Sequence, residues 1–116
     1  MKPIYNLEER TFLYAKEIRL FVKSLPKTIA NTEDVKQVIR SSGSIGANYI
    51  EANESLSKKD FAMRIKISRK EAKETVYWLR LIKETNTFQQ SEKLESLMNE
   101  GIELKKIFSA IIEKSK

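Results

Sequence analysis

The chain has 116 residues, enough for one domain with a modest core, and 41% hydrophobic and 33% charged residues with three Gly and two Pro predict an all-α fold. It contains neither Cys nor His, so disulfides, the usual zinc sites and Ser/His or Cys/His nucleophile pairs are excluded, and no enzyme activity, metal or cofactor is expected. The formal net charge is +6, which favours acidic partners.

The opening MKPIYNLEER has no apolar leader, and no run approaches the roughly 18 apolar residues of a membrane span. A soluble cytoplasmic protein without membrane contact is expected. Leu7, Tyr14, Ile18, Phe21, Val22 and Leu25 recur at helical spacing, predicting a first helix over 7–25 that Pro26 ends. A second start is expected at Thr32, where Glu33 and Asp34 suit the positive end of a helix dipole. Val35, Val38, Ile39, Ser42, Ile45, Gly46 and Tyr49 continue one face of that helix.

The third start is Ser57, with Asp60 three residues on in a variant of the capping box. Phe61, Ile65, Ser68, Ala72, Val76, Leu79 and Ile82 follow without Gly or Pro, so this helix runs to about residue 85. The fourth begins near Ser91 and carries Leu94, Leu97, Met98, Leu104, Phe108, Ile111 and Ile112. Short polar links (KTIAN, the region of Glu54 to Leu56, and TNTFQQ) imply antiparallel neighbours. The economical arrangement is an up-and-down four-helix bundle spanning 1–116 as a single domain.

The stretch RSSGSIGANYIEANE (40–54) admits competing interpretations. Gly/Ser clusters usually mark loops. GSIG also has the spacing of the GxxG clamp of KH-type RNA-binding domains, but that fold needs strands, and no Lys-Ser/Thr pair follows to make a phosphate-binding Walker loop. As a helix, Ser42, Gly43, Gly46, Ala47 and Asn48 form a packing seam whose small side chains let a neighbouring backbone approach. Each helical Gly costs about 1 kcal/mol relative to Ala, which close packing must offset.

SIGAN (Ser44–Asn48) with Glu51, the SKKDF start (Ser57–Phe61) and the KEAKETVYWLRL run (Lys70–Leu81) together resemble the four-helix-bundle proteins of intervening sequences in bacterial 23S ribosomal RNA genes. The resemblance covers Arg40 to about Ile82 closely and the flanking helices by pattern. It implies that SIGAN lies inside the second helix and that the chain forms closed homo-oligomers, known in relatives as five-membered barrels. Many relatives end the motif A-E-G, where this chain has Glu51-Ala52-Asn53. Related accessory proteins of diversity-generating retroelements pair with a reverse transcriptase and nucleic acid, so the resemblance also implies partners of those kinds.

Between Lys58 and Lys83 nine basic residues stand against three acidic ones, so the whole formal excess of six lies on the third helix. Wound at about 100° per residue, Lys59, Lys66, Arg69, Lys70, Lys73 and Arg80 share a sector of about 100° with Tyr77. A basic stripe with an aromatic set in it suits RNA or DNA, with phosphates on the cations and a base on the ring. The alternative is a solvated face, which most charge runs are.

Beside the stripe, Met63, Ile67, Trp78 and Leu81 make a second apolar flank, distinct from the core stripe of Phe61, Ile65, Ser68, Ala72 and Leu79. A core large enough could absorb both; otherwise the flank is an oligomer interface with Trp78 as anchor. Glu71 and Glu74, one turn apart, are expected to pair with Arg64, Lys70 or a neighbouring subunit rather than to form a catalytic dyad. Asn48 and Glu51 are expected to fix helix register or the subunit contact. Two functions are therefore in view: a non-enzymatic oligomeric nucleic-acid binder, or an interaction module whose oligomer docks an acidic protein.

Overall fold

The computed structural model describes residues 6–87 and 90–116, and every regular element in them is helical. Helix α1 (Leu7–Val22) is capped by Asn6, whose Oδ1 accepts the Glu9 N–H at 2.8 Å, with Glu8 and Glu9 in the first turn against the helix dipole. It ends three residues before the expected Leu25. Residues 23–25 form a turn closed by Ser24 N–H to Phe21 O and Leu25 N–H to Val22 O, which still buries Leu25.

Helix α2 (Ile29–Asn53) begins one turn earlier than Thr32, so most of KTIAN is helix rather than link. Thr28 is the cap, accepting the Asn31 N–H at 3.1 Å. Buried Asn31 then donates to Pro26 O and exchanges two amide hydrogen bonds of 2.8 Å with Asn86, at the far end of the next helix. That clamp fixes the first turn of α2. The helix passes through Gly43 and Gly46 without interruption, and no described residue has a positive φ.

Helix α3 (Lys58–Thr85) starts as expected, with Ser57 accepting the Asp60 N–H at 3.1 Å, and its 28 residues span about 42 Å. Helix α4 (Ser91–Lys114) completes the chain. The link TNTFQQ includes Phe88 and Gln89, which lie outside the described residues.

Cross-helix contacts settle the order. Thr11 meets Gly46 and Glu8 meets Asn53, so α1 and α2 are antiparallel. Ser41 pairs with Thr75 and Asn48 with Arg64 across α2 and α3. Val76 meets Gly101 and Lys83 meets Glu95 across α3 and α4, and Arg10–Glu100 with Glu17–Lys93 returns α4 to α1. Each helix touches its two chain or ring neighbours, which is the up-and-down bundle. α1 and α4 touch most lightly, and the bundle is flattened to 45 × 36 × 19 Å. Its core joins Tyr14, Ile18, Val38, Ile45, Ile65, Leu79, Leu104 and Phe108, from all four helices.

Candidate nucleic-acid interface

What aims α3 is its buried face. Ile65, Ser68, Ala72, Thr75 and Leu79 all point inward. Ser68 Oγ donates to Ile45 O at 2.9 Å, and the Thr75 and Ser41 hydroxyls lie 2.8 Å apart. Ser68 pins the rotation of α3 on α2, because a slipped helix would take its buried hydroxyl off Ile45 O, while Thr75 and Ser41 add a cross-helix contact to the bonds they make to Glu71 O and Val38 O of their own helices. The opposite side of α3 is thereby turned to solvent.

Lys59, Lys66, Lys73 and Arg80 recur every seven residues along that side, about 10.5 Å apart, with Lys70 beside them, and all five are exposed. Arg69 is half-buried. Tyr77 is 57% exposed in the middle of the row, its ring edge-on to Trp78 at a centroid distance of 5.1 Å. None of the six cations enters a salt bridge among the described residues, whereas Arg10, Arg40 and Lys83 each hold a carboxylate. The row is therefore uncompensated positive charge on a rigid helix.

The apolar flank divides. Met63 is exposed, Ile67 and Leu81 are half-buried, and Trp78 packs partly against the core, its buried Nε1–H finding no acceptor among the described residues. Between these residues lies a charged cluster whose pairing differs from expectation. Buried Glu71 accepts from Arg40 of α2, at 3.1 Å and 3.4 Å, not from Arg64 or Lys70; Arg64 instead donates to Asn48 Oδ1 at 3.0 Å. Spacing along one helix cannot show which neighbour faces it. Burial acts to raise the Glu71 carboxyl, but hydrogen bonds from Arg40 and nearby groups outweigh it and leave it below its ordinary value. Glu74 is pushed up, first by hydrogen bonding to Glu71 and then by partial burial. The two carboxyls are thus pushed in opposite directions, and among the described residues no three acidic side chains gather as a metal cluster.

The small residues of α2 serve different neighbours. Gly46 is the tight point, where a Cβ would stand 2.7 Å from Thr11 Oγ1; over Gly43 lies the Arg19 guanidinium, a side chain rather than a backbone. Ser42 is buried with its hydroxyl on Ile39 O. Ala47 is exposed on the outer lip between α1 and α2. Asn48 faces α3, donating to Ser44 and accepting from Arg64, so it fixes α2 against α3.

The sequence profile described as 23S rRNA-intervening sequence protein matches residues 6–110. The chain belongs to the 23S rRNA-intervening sequence protein family. A solved structure from Bacteroides thetaiotaomicron, described as a protein of unknown function from the S23 ribosomal protein family, is similar at 32% identity and a TM-score of 0.79, over 92% of this chain and 98% of the other. No curated protein matches the chain. This intervening-sequence family member has no described helix long and apolar enough to cross a membrane.

Proposed function

We propose that this family member is a non-enzymatic homo-oligomeric bundle that binds RNA or DNA electrostatically through the exposed face of α3. The observation that carries it is the row of Lys59, Lys66, Lys70, Lys73 and Arg80, with Arg69 at its edge, six cations gathered on one side of α3 and outside salt bridges among the described residues. Phosphates meet the cations, a splayed base stacks on Tyr77, and little sequence is read. The family resemblance supports a pentamer, and a reverse transcriptase as protein partner, in a cytoplasmic setting. Met63, Ile67, Trp78 and Leu81 supply the flank on which subunits meet.

The test is affinity for a structured RNA and a matched DNA duplex across a salt series, using nuclease-treated protein. Each duplex phosphate neutralised contributes about −0.9 to the slope of log affinity against log salt. Six cations of one face therefore give at most about −5, and a steeper slope reports several subunits acting together. The double change Lys66→Glu with Lys73→Glu is expected to abolish retention with the bundle still folded. Absence of binding at low salt would overturn the proposal.

A further inference from the structure

On the side of the bundle away from the α3 row, α1 and α2 enclose an open groove of about 650 Å³. Three large apolar side chains stand exposed in it: Phe12 at 61%, Leu20 at 48% and Ile50 at 45%. Ala15 and the two glycines of α2 keep its floor low, and Ala47 keeps its lip low. Exposed single hydrophobics are ordinary, but a contiguous strip along two helices marks an interaction surface.

Charge on the rim restricts what covers it. Lys16, Arg19 and Lys23 follow one another along α1 and enter no salt bridge among the described residues. Arg19 lies over Gly43, where the missing side chain makes room for its guanidinium, and spends one donor on the Ala15 carbonyl of its own helix. The acid at the groove's end, Glu8, is bound to Asn53. The groove runs about 16 Å from Phe12 to Lys23, three turns of a docked helix, with the cationic rim along about 10 Å of it from Lys16 on.

We infer that this groove binds an amphipathic helix of a partner protein, one with an apolar stripe flanked by Asp and Glu, in the helix-in-groove mode. A second copy fits poorly. Groove against groove sets Lys16, Arg19 and Lys23 on their own counterparts, and the exposed apolar side chains of α3 lie among cations, Met63 beside Lys59, Lys66 and Lys70 and Tyr77 beside Lys70, Lys73 and Arg80. A nucleic-acid backbone would satisfy the rim but leave Phe12, Leu20 and Ile50 uncovered.

The test uses the full chain and a designed 20-residue labelled peptide with Leu at positions i, i+4, i+7 and i+11 flanked by Glu, a scramble of it, and a version with Lys for Glu. Anisotropy titration is expected to show one-to-one binding of the ordered peptide, with the other two at least tenfold weaker. Amide shifts should move along α1 and α2. Leu20→Glu and, separately, Lys16→Glu with Lys23→Glu should each weaken binding at least tenfold without altering thermal unfolding, since all three positions are exposed. Lys66→Glu with Lys73→Glu should leave it unchanged, separating this site from the α3 face. Equal binding of the scramble, shifts confined to α3, displacement by duplex DNA, or a fall in sedimenting mass on Leu20→Glu (which would make the groove a contact between copies) would each overturn the inference.

Discussion

Thr11 Oγ1 stands 2.7 Å from where a Cβ on Gly46 would be, and it cannot retreat. The hydroxyl is already committed to Leu7 O and Glu8 O, and the residue is buried and β-branched. Gly46→Ala gains about 1 kcal/mol of helix propensity but meets an overpacking cost of about 1–3 kcal/mol. Net destabilisation of about 1 kcal/mol is expected in urea unfolding. Gly43→Ala should do the reverse, because its new Cβ meets only the tip of exposed Arg19 at 3.3 Å, which can swing aside. Equal effects of the two changes would refute this account of the seam.

Gly101→Ala is expected to be the most damaging of the glycine changes. Its Cβ would stand 2.6 Å from both Tyr14 Oη of α1 and Val76 Cγ2 of α3. Tyr14 is buried and donates to Leu97 O at 2.9 Å, so it cannot turn away without losing a buried hydrogen bond. The loss should reach about 2–3 kcal/mol. Tyr14→Phe, by removing the hydroxyl, should recover part of it in the double variant, which a double-mutant cycle would measure.

Burial divides the Arg40–Glu71 pair unequally, since the Arg40 side chain is 53% exposed and that of Glu71 only 7%. Removing Arg40 strands a buried carboxylate, whereas removing Glu71 leaves a guanidinium that water can solvate. Arg40→Ala should therefore cost about 2–3 kcal/mol and Glu71→Gln about half that. The Glu71 carboxyl is held below its ordinary value, so its stabilisation is present above that value and disappears as pH falls through the lower folded one. Glu74 is raised and has the opposite sign: its ionisation opposes folding, and stability is regained as pH falls through its raised folded value. Glu74→Gln is expected to stabilise the bundle at pH 7 and to remove that rise. A flat difference between wild type and Glu74→Gln across the acid range would rule this out.

The four-helix pattern was legible because apolar spacing survives the glycines, and Ser57 with Asp60 marked the third start correctly. The start of α2 was not, since Thr32-Glu33-Asp34 looks locally like a first turn, while the true one depends on Asn31 reaching Asn86, 55 residues away. Arg40 as the partner of Glu71 was hidden for the same reason: periodicity gives a residue's direction on its own helix, not the element it will meet. Phe12, Leu20 and Ile50 fell outside the core stripes of α1 and α2, and only the packing of those two helices brings them into one groove.

If α3 binds nucleic acid as proposed, Tyr77 should distinguish single-stranded from duplex ligands. Its side chain is 57% exposed and its ring stands T-shaped to Trp78, so a splayed base has an aromatic surface to stack on, whereas paired bases stay inside a helix. Tyr77→Ala should weaken binding to a single-stranded RNA by about 1–3 kcal/mol and leave duplex DNA nearly unaffected. Lys73→Ala, by contrast, should weaken both and lower the duplex salt slope by about 0.9. Equal losses on the two ligands for Tyr77→Ala would remove stacking from the mechanism.

Trp78 offers a separate handle on assembly. Its buried Nε1–H has no acceptor among the described residues, a state that costs about 1–3 kcal/mol unless another molecule supplies one. If subunits meet on the flank of Met63, Ile67 and Leu81, an acceptor from the neighbour satisfies that donor. Trp78→Phe keeps most of the apolar surface and deletes the donor, so the isolated bundle should lose little stability or gain some. Its oligomer should dissociate at higher concentration than wild type in sedimentation equilibrium. Met63→Glu, at an exposed position on the same flank, should break assembly outright with unfolding unchanged. An unaltered oligomer in both variants would place the subunit contact elsewhere on the bundle.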